Sequence, residues 1–184
     1  MSRRGDWIQT FTGRRFWPLD PKPEDFDLED IAHSLAMKCR FNGHCNQFYS
    51  VAQHCVYVAE ECDRRWPQRL DLCIWGLLHD IEEAYLPDIP RPIKRMGTGT
   101  LEICRRKIML AASARFGLYL PEPERVKQVD RALLAAEAHY LMNVPVKSSD
   151  WHLPERAANI NICPVLPEKA KDSFLATADA MGLE

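Results

Sequence analysis

Apolar residues recur at helical spacing along most of this chain, and prolines, glycines and polar clusters mark the breaks between those stretches. The exception is the start. Residues 7–19, WIQTFTGRRFWPL, set apolar and β-prone side chains either side of Thr12-Gly13, which predicts a short hairpin, and residues 18–24 form a proline-rich connection. Asp27 is placed to cap a helix over 28–38, with Ile31 and Leu35 on one face. Residues 38–49 read as loop. Ser50 followed by Gln53 resembles a capping box and opens a second helix to about Arg65, with Val51, Cys55, Val58 and Cys62 along one side. A third helix is predicted from Leu70 to Tyr85. Its first half is apolar nearly all round, so it should be the buried central helix. Prolines 87, 90 and 92 end it. Further helices are expected over about 100–116, from after Pro121 and Pro123 to about Met142, and over about 167–181, with 143–166 irregular. Neither a repeat nor a long linker divides the chain. The pattern predicts one all-α domain of about six helices: hairpin and connection at 1–24, helical core at 25–142, and an irregular segment with a C-terminal helix at 143–184.

Composition narrows the function classes. The chain has 184 residues, 46% of them hydrophobic, enough for one sizeable core. With 24 basic and 26 acidic residues the net charge is −2, so no global basic field exists to hold a nucleic-acid polymer. Seven cysteines, an odd number with no C-x-x-C, read mostly as reduced core residues. The basic N-terminus lacks a following apolar stretch, and no run approaches the roughly 18 apolar residues of a membrane helix. A cytoplasmic protein without a membrane partner is expected.

The candidate chemistry lies at the end of the third helix. His79-Asp80 follows a run of apolar residues, and an ionisable pair in that setting needs partners. Glu83, four residues after His79 and three after Asp80, is expected over the same patch, one turn along. His54 in the second helix and Asp130 in the fifth add a second imidazole and a second carboxylate. Such a set suits one divalent ion (Mn, Co, Fe, Zn or Mg), and Glu83 could then handle a proton. Taken singly, each residue has a blander reading. A buried hydrogen-bonded His-Asp pair, a core histidine and a solvated glutamate are all common. His33, in DIAHSL, is a weaker first ligand than His54 and is expected to pack structurally. Cys39, His44 and Cys45 are soft ligands at a poor spacing for zinc.

Together the order H…HD…D, carried by His54, His79-Asp80 and Asp130, resembles the HD superfamily of metal-dependent phosphohydrolases. HDIEEAYLPDIPRPIK at 79–94 and VKQVD at 126–130 are similar to its branch of 5′-deoxynucleotidases and phage dATP triphosphohydrolases. The resemblance covers about residues 38–140. It implies an HD-domain helical bundle with one divalent metal held by His54, His79, Asp80 and Asp130, and Glu83 as the catalytic acid or base. It further implies that Asp88 contacts the sugar, that Arg40, Lys94 and Lys127 contact phosphate, and that Phe41 packs on the nucleoside in place of the usual Trp. Members of this branch are homo-oligomers, so a dimer or larger assembly is expected. Trp7, Phe11, Phe16, Trp17 and Trp151 are candidates to cover the pocket or a subunit contact. No histidine lies between Asp80 and Asp130, which separates the chain from two-metal cyclic-nucleotide phosphodiesterases. The expected substrate is a deoxynucleoside mono- or triphosphate. The alternatives are another phosphoester, such as a guanosine alarmone, and a non-catalytic nucleotide sensor.

Overall fold

The computed structural model describes residues 3–87, 89, 93, 99–144, 146, 148–154 and 160–184. A two-stranded hairpin, β1 (Ile8–Gln9) and β2 (Arg15–Phe16), pairs antiparallel with Ile8 opposite Phe16. Six helices of more than two turns follow among the described residues. They are α1 (Leu28–Met37), α2 (Val51–Arg65), α3 (Leu70–Leu78), α4 (Thr100–Phe116), α5 (Glu124–Leu141) and α6 (Pro167–Ala180). The expected all-α bundle with a small hairpin is what forms. Within 143–166 one short helix, Ser148–Trp151, interrupts the predicted irregular stretch.

Helix starts fall where capping chemistry puts them. Asp27 accepts the backbone N–H groups of Glu29 and Asp30, and Ser50 accepts that of Gln53. The reciprocal half of the box at Ser50 is not made. The Gln53 amide instead donates to Tyr57 Oη and the Cys163 carbonyl and accepts from Val165 N–H, tying α2 to the segment before α6.

The predicted third helix is shorter than its apolar pattern suggests. It stops at Leu78, and the chain continues through a 3-10 turn, Ile81–Ala84, rather than as α-helix to Tyr85. Asp80, at φ −104° and ψ 22°, is where the helical path is left, in the sparsely populated bridge region. The pattern could not reveal this, because Ile81 and Tyr85 are buried with or without the turn.

The core lies around α2, which packs on α3, α5 and α6, while α1 packs on α6 and on the 3-10 turn. Gly76 decides how close α3 comes to α2. A Cβ there would lie 3.0 Å from both Cα and N of Ala59, backbone atoms that cannot step aside. Gly76→Ala is therefore expected to destabilise the fold by about 1–3 kcal/mol, as overpacking does, read as a lower urea midpoint. The hairpin belongs to the core as well. Phe16 is fully buried and stacks on Tyr85 at 3.7 Å, and both meet Phe26 edge-on. Of the aromatics expected to cover a pocket, Phe16 thus fills the interior and Phe11 stacks on His33 at 3.7 Å, giving His33 the packing role foreseen for it.

Candidate metal centre

His54 sits on the first turn of α2 with no exposed surface, held in place by the Ser50 cap. Its Nδ1 lies 2.7 Å from Glu137 Oε1, also fully buried. A carboxylate can only accept, so Nδ1 carries the proton and Nε2 presents its lone pair. His79, at the end of α3, has its Nδ1 tied off by a different route. Its Nδ1 is 2.8 Å from the Gly76 carbonyl, which also can only accept. The two Nε2 atoms face each other at 3.3 Å. Asp130 Oδ1 is 3.3 Å from His54 Nε2, and Asp80 Oδ2 is 3.3 Å from His79 Nε2.

Two imidazole Nε2 atoms and two carboxylates therefore converge from α2, the end of α3, and α5. His54, His79 and Asp130 each offer a ligand atom within 4.8 Å of the others, and a second triple of that kind joins His79 and Asp80 to Cys55. Donor separations of this size fit one divalent ion with bonds of about 2.0–2.2 Å. The donor set of imidazole nitrogen and carboxylate oxygen suits Zn, Mn, Co or Fe. With both Nδ1 atoms hydrogen-bonded elsewhere, the two Nε2 atoms and the two carboxylates are turned toward one another, which is consistent with an ion site.

Protons show the same polarity. Burial works to lower the His79 pKa, but the Asp80 carboxylate and Cys55 outweigh it and hold it well above the ordinary histidine value. Burial works to raise Asp130, yet its hydrogen bond and charge attraction with His54 bring it down to about 2. Asp80 also lies well below the usual carboxylate range, with His79 as the dominant opposing influence to burial. These shifts favour a proton on His79 and negative charge on Asp80 and Asp130.

Glu137 and Cys55 were not singled out in the sequence. Glu137 Oε1 takes His54 and the Tyr49 hydroxyl (2.9 Å), while Oε2 takes Arg40 Nη2 (2.9 Å). The available signal was a charge inside the apolar run Leu133–Ala138, two turns after Asp130. Arg40 is consequently drawn inward. Its Nη1 is 3.8 Å from Asp80 Oδ2, and its Nε is buried without a hydrogen-bond partner among the described residues. Phe41 adopts φ 54°, and its ring stacks on Trp151 at 6.1 Å.

The remaining predicted residues fall around or outside the cluster. Glu83 is buried on the 3-10 turn and belongs to neither ligand triple. It lines a cleft with Glu82, Leu86, Ile89, Leu101 and Arg105. Its spacing from His79 is that of a 3-10 turn, so the one-turn α-helical relation expected for it does not hold. Lys127 is partly exposed, 4.0 Å from Glu124 Oε2. Burial raises the Glu122 pKa, with Asp130 and Asp80 adding to it against His79 and Lys127, so Glu122 and Lys127 share the electrostatic field of the centre. Asp88 and Lys94 lie outside the described residues. Among the described residues no helix is long and apolar enough to cross a membrane.

Fold and site together define a helical protein with a His/carboxylate cluster that could hold a metal ion. No family model matches the chain. It is 37% identical over 172 residues, 92% of each chain, to the uncharacterized protein YfdR of Escherichia coli K12. It is also 39% identical over 137 residues to the uncharacterized protein RCAP_rcc00048 of Rhodobacter capsulatus, spanning 71% of this chain and 67% of that one. The chain belongs to the YfdR family.

Proposed function

We propose that this chain is a metal-dependent phosphohydrolase of the HD type acting on a deoxynucleotide. The observation that carries the reading is the convergence of His54 and His79, each with Nδ1 tied off and Nε2 turned inward, on Asp80 and Asp130. His54, His79, Asp80 and Asp130 would hold one divalent cation. Bound there, it would supply Lewis-acid chemistry, making a water acidic near neutral pH and polarising a phosphoryl oxygen.

The chain's own residues would do the rest. Glu137 and the Gly76 carbonyl keep both imidazoles in the ligating tautomer. Glu83, a carboxylate near the HD pair, is the candidate to accept the water proton or return it to the leaving oxygen. Lys127, and Arg40 from its position between Glu137 and Asp80, are the candidates to meet phosphate oxygens as charge builds on them. Phe41 and Trp151 offer stacked rings at which a base could pack.

The test is a substrate panel with added Mn²⁺ or Co²⁺, followed by ³¹P NMR. Orthophosphate from deoxynucleoside monophosphates alone makes the protein a 5′-deoxynucleotidase. Tripolyphosphate from a deoxynucleoside triphosphate makes it a triphosphohydrolase. Equal turnover of ribo and deoxy forms removes the deoxynucleotide part of the reading, and no turnover by a metal-loaded protein removes the enzyme.

A further inference from the structure

The loop between α1 and α2 carries two cysteines that the metal centre does not use. Cys39 Sγ and Cys45 Sγ lie 3.4 Å apart; both residues are half-buried, and both are free thiols. The loop holds them together at two places. At its neck Cys39 forms an antiparallel bridge with Ser50, flanked by Arg40 N–H to Tyr49 O (2.8 Å) and Val51 N–H to Lys38 O (3.0 Å). At its tip Phe41, Asn42 and Gly43 all have positive φ, at 54°, 53° and 79°, so the chain doubles back between the two cysteines. Beyond Cys45, Asn46 N–H donates to the Leu141 carbonyl at 2.8 Å and fixes the returning strand on the end of α5.

A disulfide has its sulfurs about 2.05 Å apart, so closure asks for a shift of about 1.4 Å from the observed 3.4 Å. Of the other cysteines, Cys55, Cys62, Cys73 and Cys104 are buried, and Cys163 is exposed. The Cys39–Cys45 pair alone combines a nearby thiol partner with solvent access.

We propose that Cys39 and Cys45 form a reversible dithiol–disulfide site, oxidised by a hydroperoxide. The Cys39 thiolate attacks one peroxide oxygen and the O–O bond breaks. Cys39 becomes a sulfenic acid, and the other oxygen leaves as hydroxide or alkoxide, taking up a proton as water or alcohol. The Cys45 sulfur then attacks the Cys39 sulfur. The S–S bond forms, the S–O bond breaks, and the departing hydroxide takes the Cys45 proton as water. Two electrons pass from the two sulfurs to the peroxide, and two equivalents of a small thiol restore the pair by successive exchange, leaving as their own disulfide. Burial, and then the hydrogen bond with Cys39, hold the Cys45 thiol above its ordinary range, which suits Cys45 to the second, resolving step.

The disulfide would close a loop that contains Arg40 and Phe41. Cys45 Sγ now donates to the Arg40 carbonyl at 3.7 Å, a contact the disulfide would remove next to the residue that reaches Glu137 and Asp80. Any consequence for turnover rests on the phosphohydrolase reading; formation of the disulfide does not.

The test treats the full chain with increasing hydrogen peroxide, alkylates the remaining thiols and maps tryptic peptides by mass spectrometry. Trypsin cuts after Lys38 and Arg40, so the disulfide appears as the dipeptide Cys39-Arg40 joined through Cys45 to the peptide that begins at Phe41. The expected result is one such cross-link per chain, with two thiols lost. It forms at peroxide doses no higher than those that oxidise Cys163, without change in far-UV circular dichroism, and dithiothreitol reverses it. In Cys45→Ser, Cys39 should stop at a sulfenic acid that dimedone traps. The site is overturned if Cys163 oxidises while Cys39 and Cys45 still alkylate separately, or if their disulfide appears only with loss of helix. A disulfide formed in a protein that hydrolyses nothing keeps this site and removes the phosphohydrolase reading.

Discussion

Asp80→Asn is expected to abolish divalent-cation binding and phosphate release while the helical fold survives. Asp80 lies at the hinge where α3 gives way to the 3-10 turn, with its carboxylate between His79 (3.3 Å) and Arg40 (3.8 Å). The amide keeps the shape and removes the charge. If Asp80 is a direct ligand, as proposed, the loss in metal affinity and in kcat/KM should exceed the roughly 10–100-fold that an outer partner costs. The same variant carries a pH signature in the metal-free protein. Burial pushes the His79 pKa down, but Asp80 and Cys55 push it further up, so the net folded value lies above the unfolded one. That raised pKa stabilises the metal-free fold fully below about pH 6.5, the unfolded value, and the stabilisation fades as pH rises through the folded value. Asp80→Asn removes that contribution, so metal-free wild type and variant should differ most in urea midpoint on the acid side and converge in base. Cation binding must displace the same proton, so metal affinity in wild type should rise with pH. Retained cation stoichiometry in Asp80→Asn would remove Asp80 from the ligand set.

Glu137→Ala should produce the largest loss of stability of any single change at the centre, about 3–5 kcal/mol, because it strips one partner from a buried ion pair. Three groups depend on that carboxylate: the Arg40 guanidinium at 2.9 Å, the Tyr49 hydroxyl at 2.9 Å and His54 Nδ1 at 2.7 Å. Alanine leaves a buried cation and two buried polar groups without their acceptor. Glu137→Gln keeps an acceptor and should recover much of the fold, yet it holds the His54 tautomer less firmly. It should bind the cation roughly 10–100-fold more weakly than wild type. Urea denaturation and equilibrium metal titration separate the two effects. A Gln variant with wild-type metal affinity would reduce Glu137 to a purely structural role.

The cluster residues legible in the sequence were those whose signal is local. Ser50 announces the start of α2 and thereby places His54 one turn in. Asp130 stands beside Val126, Val129 and Leu133, which bury one side of α5 against the core. What stayed hidden depended on contacts far apart in the chain. Arg40 and Glu137 are 97 positions apart, and only the folded bundle shows that one buried carboxylate holds both the arginine and the first histidine. The end of α3 was illegible for a different reason. Apolar periodicity reports which residues are buried, and a 3-10 turn that buries Ile81 and Tyr85 looks the same as a continuing α-helix. The hairpin was legible as a hairpin, but nothing in its pattern said that Phe16 fills the aromatic core beside Phe26 and Tyr85.

The most direct measurement titrates metal-stripped wild-type protein with Mn²⁺ or Co²⁺, following bound cation and phosphate release from a deoxynucleotide in the same sample. One cation per chain is expected to bind and to bring turnover with it in proportion, with both lost in Asp80→Asn. Absence of cation binding by the wild-type chain, or phosphate release indifferent to the cation, would contradict a metal-dependent centre at His54, His79, Asp80 and Asp130.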